Sequence, residues 1–317
     1  MGSLVERKIP VVYFDKETLK PGTDSWDLAC KQVRSAFEEH GCFEAVFDKI
    51  PVQLHNSVFA ATKDLFDLPT ETLLRKTSDR PGLPYTPNWV HNPLFGSLGI
   101  DYPSTPQGVE KFTNVMWPQG NEAFRESVLS FSKLIMELYE TATRMIFESY
   151  GVERLHDTVM KSTFPRIKFA KYRNPKENEA SLGLKTHTDK TFITIVHQHE
   201  VEGLEILSKD GEWLVDAKPS PTSFVVFAGD IFRAWSNDRV IPCDHRVIMK
   251  KGKDRYAISL FTYIEGTMDI PEEMVDNDKY PLQYKPINHL SFMKRFFVDE
   301  EPELQYAPCP IKFFCGV

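Results

Sequence analysis

Apolar positions recur at helical spacing in the front half of the chain and give way to short β-type runs behind it. The clearest periodic stretch is 121–150. There Phe124, Val128, Phe131, Ile135, Leu138, Ala142 and Met145 step by four and three and share one helix face. Asn121 is placed to cap this helix and Gly151 to stop it. The stripe reads as core packing, not as a cofactor site. Before it, 9–14 (IPVVYF) reads as a short strand. Asp24 opens a helix to about His40, with Leu28, Val33, Ala36 and Phe37 on one face and Gly41 as its stop. A second strand is expected over 42–47, and a further helix over about 51–68, ended by Pro69. Residues 80–120 break the pattern. Pro81, Gly82, Pro84, Pro87, Pro93, Gly96, Gly99, Pro103, Pro106 and Gly108 crowd a stretch that also holds Tyr85, Trp89, Phe95 and Trp117. It reads as a long loop region with weak strands at best, either functional or a surface excursion tacked down by its aromatics.

From residue 163 the runs become short and rich in Val, Ile and aromatics: 164–172, 192–198, 204–207, 213–214, 223–228, 247–249 and 255–263. Turn signals at Asn174-Pro175, Lys209-Asp210-Gly211, Pro219-Ser220-Pro221 and Lys251-Gly252 separate them. Strands this short and evenly spaced predict a sandwich or barrel. The chain is therefore expected to be mainly β with flanking helices, its helical N-terminal half wrapped on a β back half. Residues 1–120 form an N-terminal segment, and 121–317 the long helix plus the β core, together in one compact unit.

Composition narrows the function classes. The 317 residues are ordinary for a globular chain, and a net charge of −7 gives no electrostatic reason to expect nucleic acid or anionic membrane as partner. The opening MGSLVERKIPVV carries charge and no long apolar run, which argues against a secretory signal or a membrane anchor. A myristoylation match fails at Glu6. The cysteines (Cys30, Cys42, Cys243, Cys309 and Cys315) are odd in number and without CxxC spacing. They read as free thiols, so a cytoplasmic protein is expected.

Candidate chemistry lies in the β half. His187-Thr188-Asp189 aims an imidazole and a carboxylate at one point if the segment is extended, since residues two apart share a side. Taken singly, such a pair is more readily a hydrogen-bonded surface pair. His245 lies two or three strands further on, where an antiparallel sandwich can return it opposite that pair. Two His and one carboxylate make the facial triad of non-haem Fe(II) oxygenases, with three coordination positions left open for a bidentate 2-oxo acid and O₂. Arg255 stands ten residues after His245. Its planar fork suits a carboxylate such as the distal one of 2-oxoglutarate, with Ser259 on the same face as a hydroxyl donor. The plain alternative is an edge-strand Arg paired with Asp254 or Asp244, in a solvated hairpin with Lys251 and Lys253. His197 and His199 point one way on a strand, yet no partner set supports a second metal. Solvent-facing or hydrogen-bonded histidines are the expectation there.

HTDKTFITIVHQHEVEGLEIL, GEWLVDAKPSPTSFVVFAGDIFRAWSN, HRVIM and RYAISLF resemble the plant 2-oxoglutarate and Fe(II)-dependent dioxygenase superfamily. IPVVYFD and ACKQVRSAFEEHGCFEAVFD are similar to its N-terminal segment, and GCFEAVFDK points to the AOP-like branch. The resemblance implies a distorted double-stranded β-helix, or jelly roll, with helices packed outside. It implies His187, Asp189 and His245 as iron ligands, Arg255 at the distal carboxylate of 2-oxoglutarate, and Tyr172 at the same co-substrate. Gly229-Asp230 matches a structural turn. Two departures stand out: Ala257 replaces the Ser of the family's Arg-x-Ser, and Ala170 an Asn before Tyr172. A lost neutral hydrogen bond there costs roughly 1 kcal/mol, so co-substrate binding is expected to weaken but persist.

The expected protein is an oxygenase using Fe(II), 2-oxoglutarate and O₂, with ascorbate as reductant. It would hydroxylate, desaturate, demethylate or cyclise a small plant specialised metabolite and release succinate and CO₂. Phe261 and Tyr263 on the Arg255 strand, and Phe112 and Trp117 from the loop region, are the candidate substrate contacts, each with core packing as its alternative. A monomer is expected. Two other readings remain: an Fe(II) oxidase that dispenses with 2-oxoglutarate, and a catalytically silent metal-binding jelly roll.

Overall fold

The computed structural model describes residues 9–15, 20–75, 94–214 and 218–317. Pro81, Gly82, Pro84, Tyr85, Pro87, Trp89 and Pro93 lie outside the described residues. Strand β1 (Val11–Phe14) leads to helix α1 (Asp24–His40), whose N-cap is Thr23, its side chain accepting from Trp26 N. The buried face of α1 runs through Trp26, Ala29, Cys30, Val33, Ala36 and Phe37. Leu28, expected on that face, is 58% exposed. Gly41 ends the helix at φ 72°, a left-handed conformation that costs glycine little. Then come β2 (Cys42–Phe47), α2 (Val52–Phe66) and the short α3 (Thr70–Leu73).

The stretch expected to be loop contains two regular elements, β3 (Phe95–Asp101) and α4 (Pro106–Met116). Its Pro and Gly residues have helical roles that composition hides. Thr105 caps Gly108 N, Pro106 occupies the first turn where its missing N–H costs nothing, and Gly108 sits where a Cβ would lie 2.4 Å from Tyr102 O. The long helix α5 (Glu122–Ser149) is capped by Asn121, as the spacing predicts.

After α6 (His156–Ser162) come the remaining strands: β4 (Thr163–Tyr172), β5 (Leu182–His187), β6 (Ile193–Gln198), β7 (Leu204–Leu207), β8 (Trp213–Leu214) and β9 (Ser223–Ala228). Helix α7 (Asp230–Trp235) precedes β10 (His245–Ile248) and β11 (Arg255–Ile264). The strand pair β12 (Thr267–Met268) and β13 (Ile287–Asn288) and helices α8 (His289–Phe297), α9 (Pro302–Gln305) and α10 (Pro310–Cys315) complete the chain. The apolar pattern predicts none of these last elements.

Two sheets face each other as a jelly roll. The larger has the order β1-β2-β9-β6-β11-β4-β3, the smaller β5-β10-β7-β8. The front of the chain is thus not only helical, since β1, β2 and β3 hydrogen-bond into the large sheet. Strand alternation divides that sheet's residues. Ile167, Phe169, Ile258, Leu260, Ile195 and Val226 face outward into the main core, under α1, α2 and α5. The other face looks at the small sheet. Two apolar clusters close the gap there, one around Leu204, Ile206, Val225 and Phe227, the other around Tyr172, Val247, Met249 and Ala257. The functional side chains sit between them.

Candidate metal centre and its surroundings

Antiparallel register does the first part of the assembly. The end of β5 lies against the start of β10, and His187 is directly opposite His245. Their rings are 4.2 Å apart between centroids. Asp189, two residues past His187, places Oδ1 3.8 Å from His187 Nε2 and Oδ2 3.8 Å from His245 Nε2. Ligand atoms of all three lie within 4.8 Å of one another, the one such group of three or more His, Cys, Asp or Glu among the described residues.

Both imidazoles are oriented from behind. His187 Nδ1 donates to Lys185 O at 2.8 Å and His245 Nδ1 to Cys243 O at 3.3 Å, which turns each Nε2 lone pair inward. Phe227 stacks on His245. Burial, with His245 alongside, presses His187 down to about 4, so it is a neutral donor at physiological pH. Burial pushes the Asp189 carboxyl up, but His245, His187 and a hydrogen bond from Thr194 outweigh it and hold the group below its ordinary value.

The segment carrying Asp189 is clamped on both sides. Backbone N–H groups of Gly229, Asp230 and Ile231 donate to Phe192 O, Asp189 O and Thr191 O. The buried Asp230 carboxylate accepts Thr188 Oγ1 at 2.9 Å and pairs with Lys190 Nζ at 2.8 Å. Gly229 has no room for a Cβ, which would fall 2.1 Å from Thr191 O. On the other side His289 Nε2 donates to Lys190 O. Asp230 is therefore more than a turn residue: it fixes the loop between the ligands.

Arg255 opens β11 and is 1% exposed. Its Cζ lies 4.9 Å from the centre of the Tyr172 ring, its register partner on β4. Nη2 donates to Gln198 Oε1 at 2.7 Å, while Nε and Nη1 have no hydrogen-bond partner among the described residues. The local-acid alternative fails, because Asp254 pairs with Lys171 and caps Asn174 N instead. Burial lowers the Arg255 pKa and raises that of Tyr172. A buried guanidinium with two unmet donors calls for an anion. Converging donors and this orphaned fork fit a metal and a dicarboxylate held side by side.

The structure sorts the remaining sequence candidates. Ser259 is not beside Arg255. It sits four residues along β11, roughly 13 Å at the rise of a strand, in register with Lys168 and Val196. Gln198, which carries no signal in the sequence, takes the place against Arg255; it alternates onto the same face as Thr194 and Val196. Phe261 does face the gap, under Lys168 Nζ at 4.7 Å from the ring centre. Tyr263 is buried against Phe164 and His289 at the base of this face. Phe112 and Trp117 do not reach the site. They pack on Phe124, which rests on Phe169, a residue of the opposite sheet face. Their aromatic character serves the contact of α4 with α5. His197 is buried and hydrogen-bonded, its Nδ1 to Ser223 O and its Nε2 to His55, as expected of a histidine without a metal.

Lys168 is a further residue that no sequence motif singles out. It is half-buried on the inner face of β4, and burial, reinforced by Arg166 and opposed by Asp189, holds its ammonium down to about 8. Arg166 beside it is 1% exposed and donates through Nη1 to Asp101 at 2.8 Å. Gly99 makes this possible, for a Cβ there would meet Arg166 Nε at 2.4 Å.

Comparison with known proteins agrees with this geometry. The 2OG-Fe(II) oxygenase superfamily matches residues 160–263, and the non-haem dioxygenase N-terminal family named for morphine synthesis matches 9–88. "Probable 2-oxoglutarate-dependent dioxygenase AOP1.2" of Arabidopsis thaliana is 40% identical over 92% of this chain and 92% of its own. The crystal structure of the rice dioxygenase for auxin oxidation matches with a TM-score of 0.77 at 26% identity, covering 93% of this chain and 96% of that one. The Arabidopsis thaliana dioxygenase for auxin oxidation 1, in its complex with 2-oxoglutarate, matches with a TM-score of 0.75 at 26% identity, over 86% and 99%.

Proposed function

This chain belongs to the plant 2-oxoglutarate- and Fe(II)-dependent dioxygenases, alongside the AOP relatives, and from that premise we propose how its residues divide the work of oxidising a small specialised metabolite. His187, Asp189 and His245 would hold the iron from one side, leaving the opposite side open. Bound Fe(II), with 2-oxoglutarate and O₂, supplies the oxidation of a C–H bond as succinate and CO₂ leave. The single observation that carries the co-substrate assignment is the buried Arg255 fork with Nε and Nη1 unmet. Its planar donors match the distal carboxylate in two-point fashion. Gln198 holds one arm of that fork, and the Tyr172 ring packs on it, so its direction is set before the anion arrives.

Thr194 and the Asp230 clamp would keep the Asp189 carboxylate ionised and aimed. The apolar clusters on either side of the gap would exclude water from the reacting centre. The two alternative readings lose ground. Against them speak the name of the 40% identical relative, a probable 2-oxoglutarate-dependent dioxygenase, and the retention of the His187, Asp189 and His245 donor group.

The test is succinate release from 2-oxoglutarate with Fe(II), ascorbate and a panel of plant metabolites. Asp189→Ala is expected to abolish turnover. Arg255→Ala removes one partner of a buried charge pair, a loss of roughly 2–5 kcal/mol, or about thirtyfold and upward in 2-oxoglutarate affinity. Turnover that survives Asp189→Ala refutes the ligand set. Unchanged 2-oxoglutarate affinity in Arg255→Ala refutes the anchor.

A further inference from the structure

The inner face of the large sheet carries two cationic stations, not one. Arg255 and Tyr172 form the first. Lys168 is four residues from Tyr172 along β4, roughly 13 Å at the rise of a strand. Its ammonium leans over Phe261, whose register partner is Arg166, and so away from Arg255. A five-carbon diacid, at about 1.5 Å per carbon–carbon bond, does not span the two stations. Among the described residues no carboxylate, carbonyl or hydroxyl pairs with Lys168. Next to it the Arg166 side chain, 1% exposed, has Nε without a hydrogen-bond partner among the described residues.

Charge balance gives this station a meaning. Of the described residues facing the gap, Arg166 is neutralised by Asp101 and Lys190 by Asp230. Arg255 and Lys168 are cations with no acidic partner among the described residues, while Asp189 sits among the metal donors. A divalent iron and the doubly charged 2-oxoglutarate cancel each other. The Lys168 ammonium, in a half-buried setting, is left for the substrate to meet.

We propose that Lys168, seated on Phe261 with Arg166 behind it, is the anion-recognition point for the substrate, which is therefore an organic monoanion: a carboxylate or sulfate on an apolar body. This rests on the dioxygenase reading and adds a substrate class to it. The anion pairs with the ammonium, the apolar body lies on Phe261 and Val196, and the oxidised carbon projects toward the triad across the gap. Lys168 is thus a specificity-determining residue.

The experiment is equilibrium binding by calorimetry to the full chain loaded with Mn(II) and 2-oxoglutarate. The probes are 3-phenylpropionate, indole-3-acetate and octanoate, each against its own primary amide, with 2-phenylethyl sulfate against 2-phenylethanol. At least one anion is expected to bind tenfold or more tightly than its neutral partner. Lys168→Gln should erase that preference and Lys168→Arg should keep it. Equal binding within every pair, binding by no probe, or a preference that survives Lys168→Gln overturns the proposal. Affinity for 2-oxoglutarate, measured first on the same protein, separates the two readings. Its absence would strike the dioxygenase reading at Arg255, whereas intact 2-oxoglutarate binding without anion preference strikes only Lys168.

Discussion

Asp230→Ala tests whether the clamp behind Asp189 matters as the geometry says. In the native protein Asp230 takes Thr188 Oγ1 at 2.9 Å and pairs with Lys190 Nζ at 2.8 Å, the two side chains being 6% and 10% exposed. The substitution leaves the Lys190 ammonium buried over the Phe296 ring, with Thr188 O and Thr188 Oγ1, both at 3.0 Å, as its remaining acceptors. Removing one partner of a buried ion pair costs roughly 3–5 kcal/mol. Because two neutral acceptors stay with Lys190, each worth about 1 kcal/mol, the lower end applies, about 3 kcal/mol. For a chain of this size that lowers Tm by roughly 6–10 °C. The backbone bond from position 230 to Asp189 O survives, so the loop loosens without unfolding. Metal affinity should fall by about 10- to 100-fold, the usual effect of losing a group that orients a ligand. Thermal unfolding by circular dichroism and a chelator competition for Mn(II) measure both. Lys190→Met with Asp230→Leu should recover most of the stability, since neither charge is then stranded. A single variant that melts within about 2 °C of the parent, with unchanged metal affinity, would refute the reasoning.

Two further outcomes are expected from the same structure. His289 is 1% exposed, donates to Lys190 O, accepts from Ile264 N–H, and is held at about 4 chiefly by burial. The unfolded chain takes up that proton near pH 6.5 and the native one only near 4, so stability is level above 6.5 and falls as pH drops between them. At about 1.4 kcal/mol per unit this amounts to roughly 3 kcal/mol, and the buried His197 adds to it in the same direction. Equal melting temperatures at pH 7 and pH 5 for the metal-free protein would contradict this. Gly183→Ala would put a Cβ 2.9 Å from Tyr172 Cδ1 and 3.1 Å from Met249 Cγ and Val247 Cγ1. Overpacking of about 1–3 kcal/mol should shift Tyr172 off Arg255 and weaken 2-oxoglutarate more than metal; titrations of the two ligands showing equal losses would count against it.

Much of this protein can be read along the chain. Four-and-three spacing predicts α5 and its caps, because helix periodicity is local. Period-two alternation aims His187 and Asp189 to one side for the same reason, and Arg255 is marked by its place ten residues after His245. The loop of 80–120 misleads, because Pro106 and Gly108 carry the same letters whether they break a chain or start a helix. Only the carbonyl of Tyr102 and the cap of Thr105 distinguish the two cases.

The tertiary structure alone decided the partner across the gap. Gln198 meets Arg255 from 57 residues away, and Thr188 meets Asp230 from 42. Alternation says which side a residue faces, not which strand will lie opposite or at what register. That choice set Ser259 beside Lys168 and Val196, and sent Phe112 and Trp117 to the far side of the sheet. The sequence by itself determined the chemistry of the metal donors, since imidazole and carboxylate carry it wherever they meet. Packing decided which cations stay unpaired between the sheets, because a charge is free or neutralised only with respect to the groups the fold brings beside it.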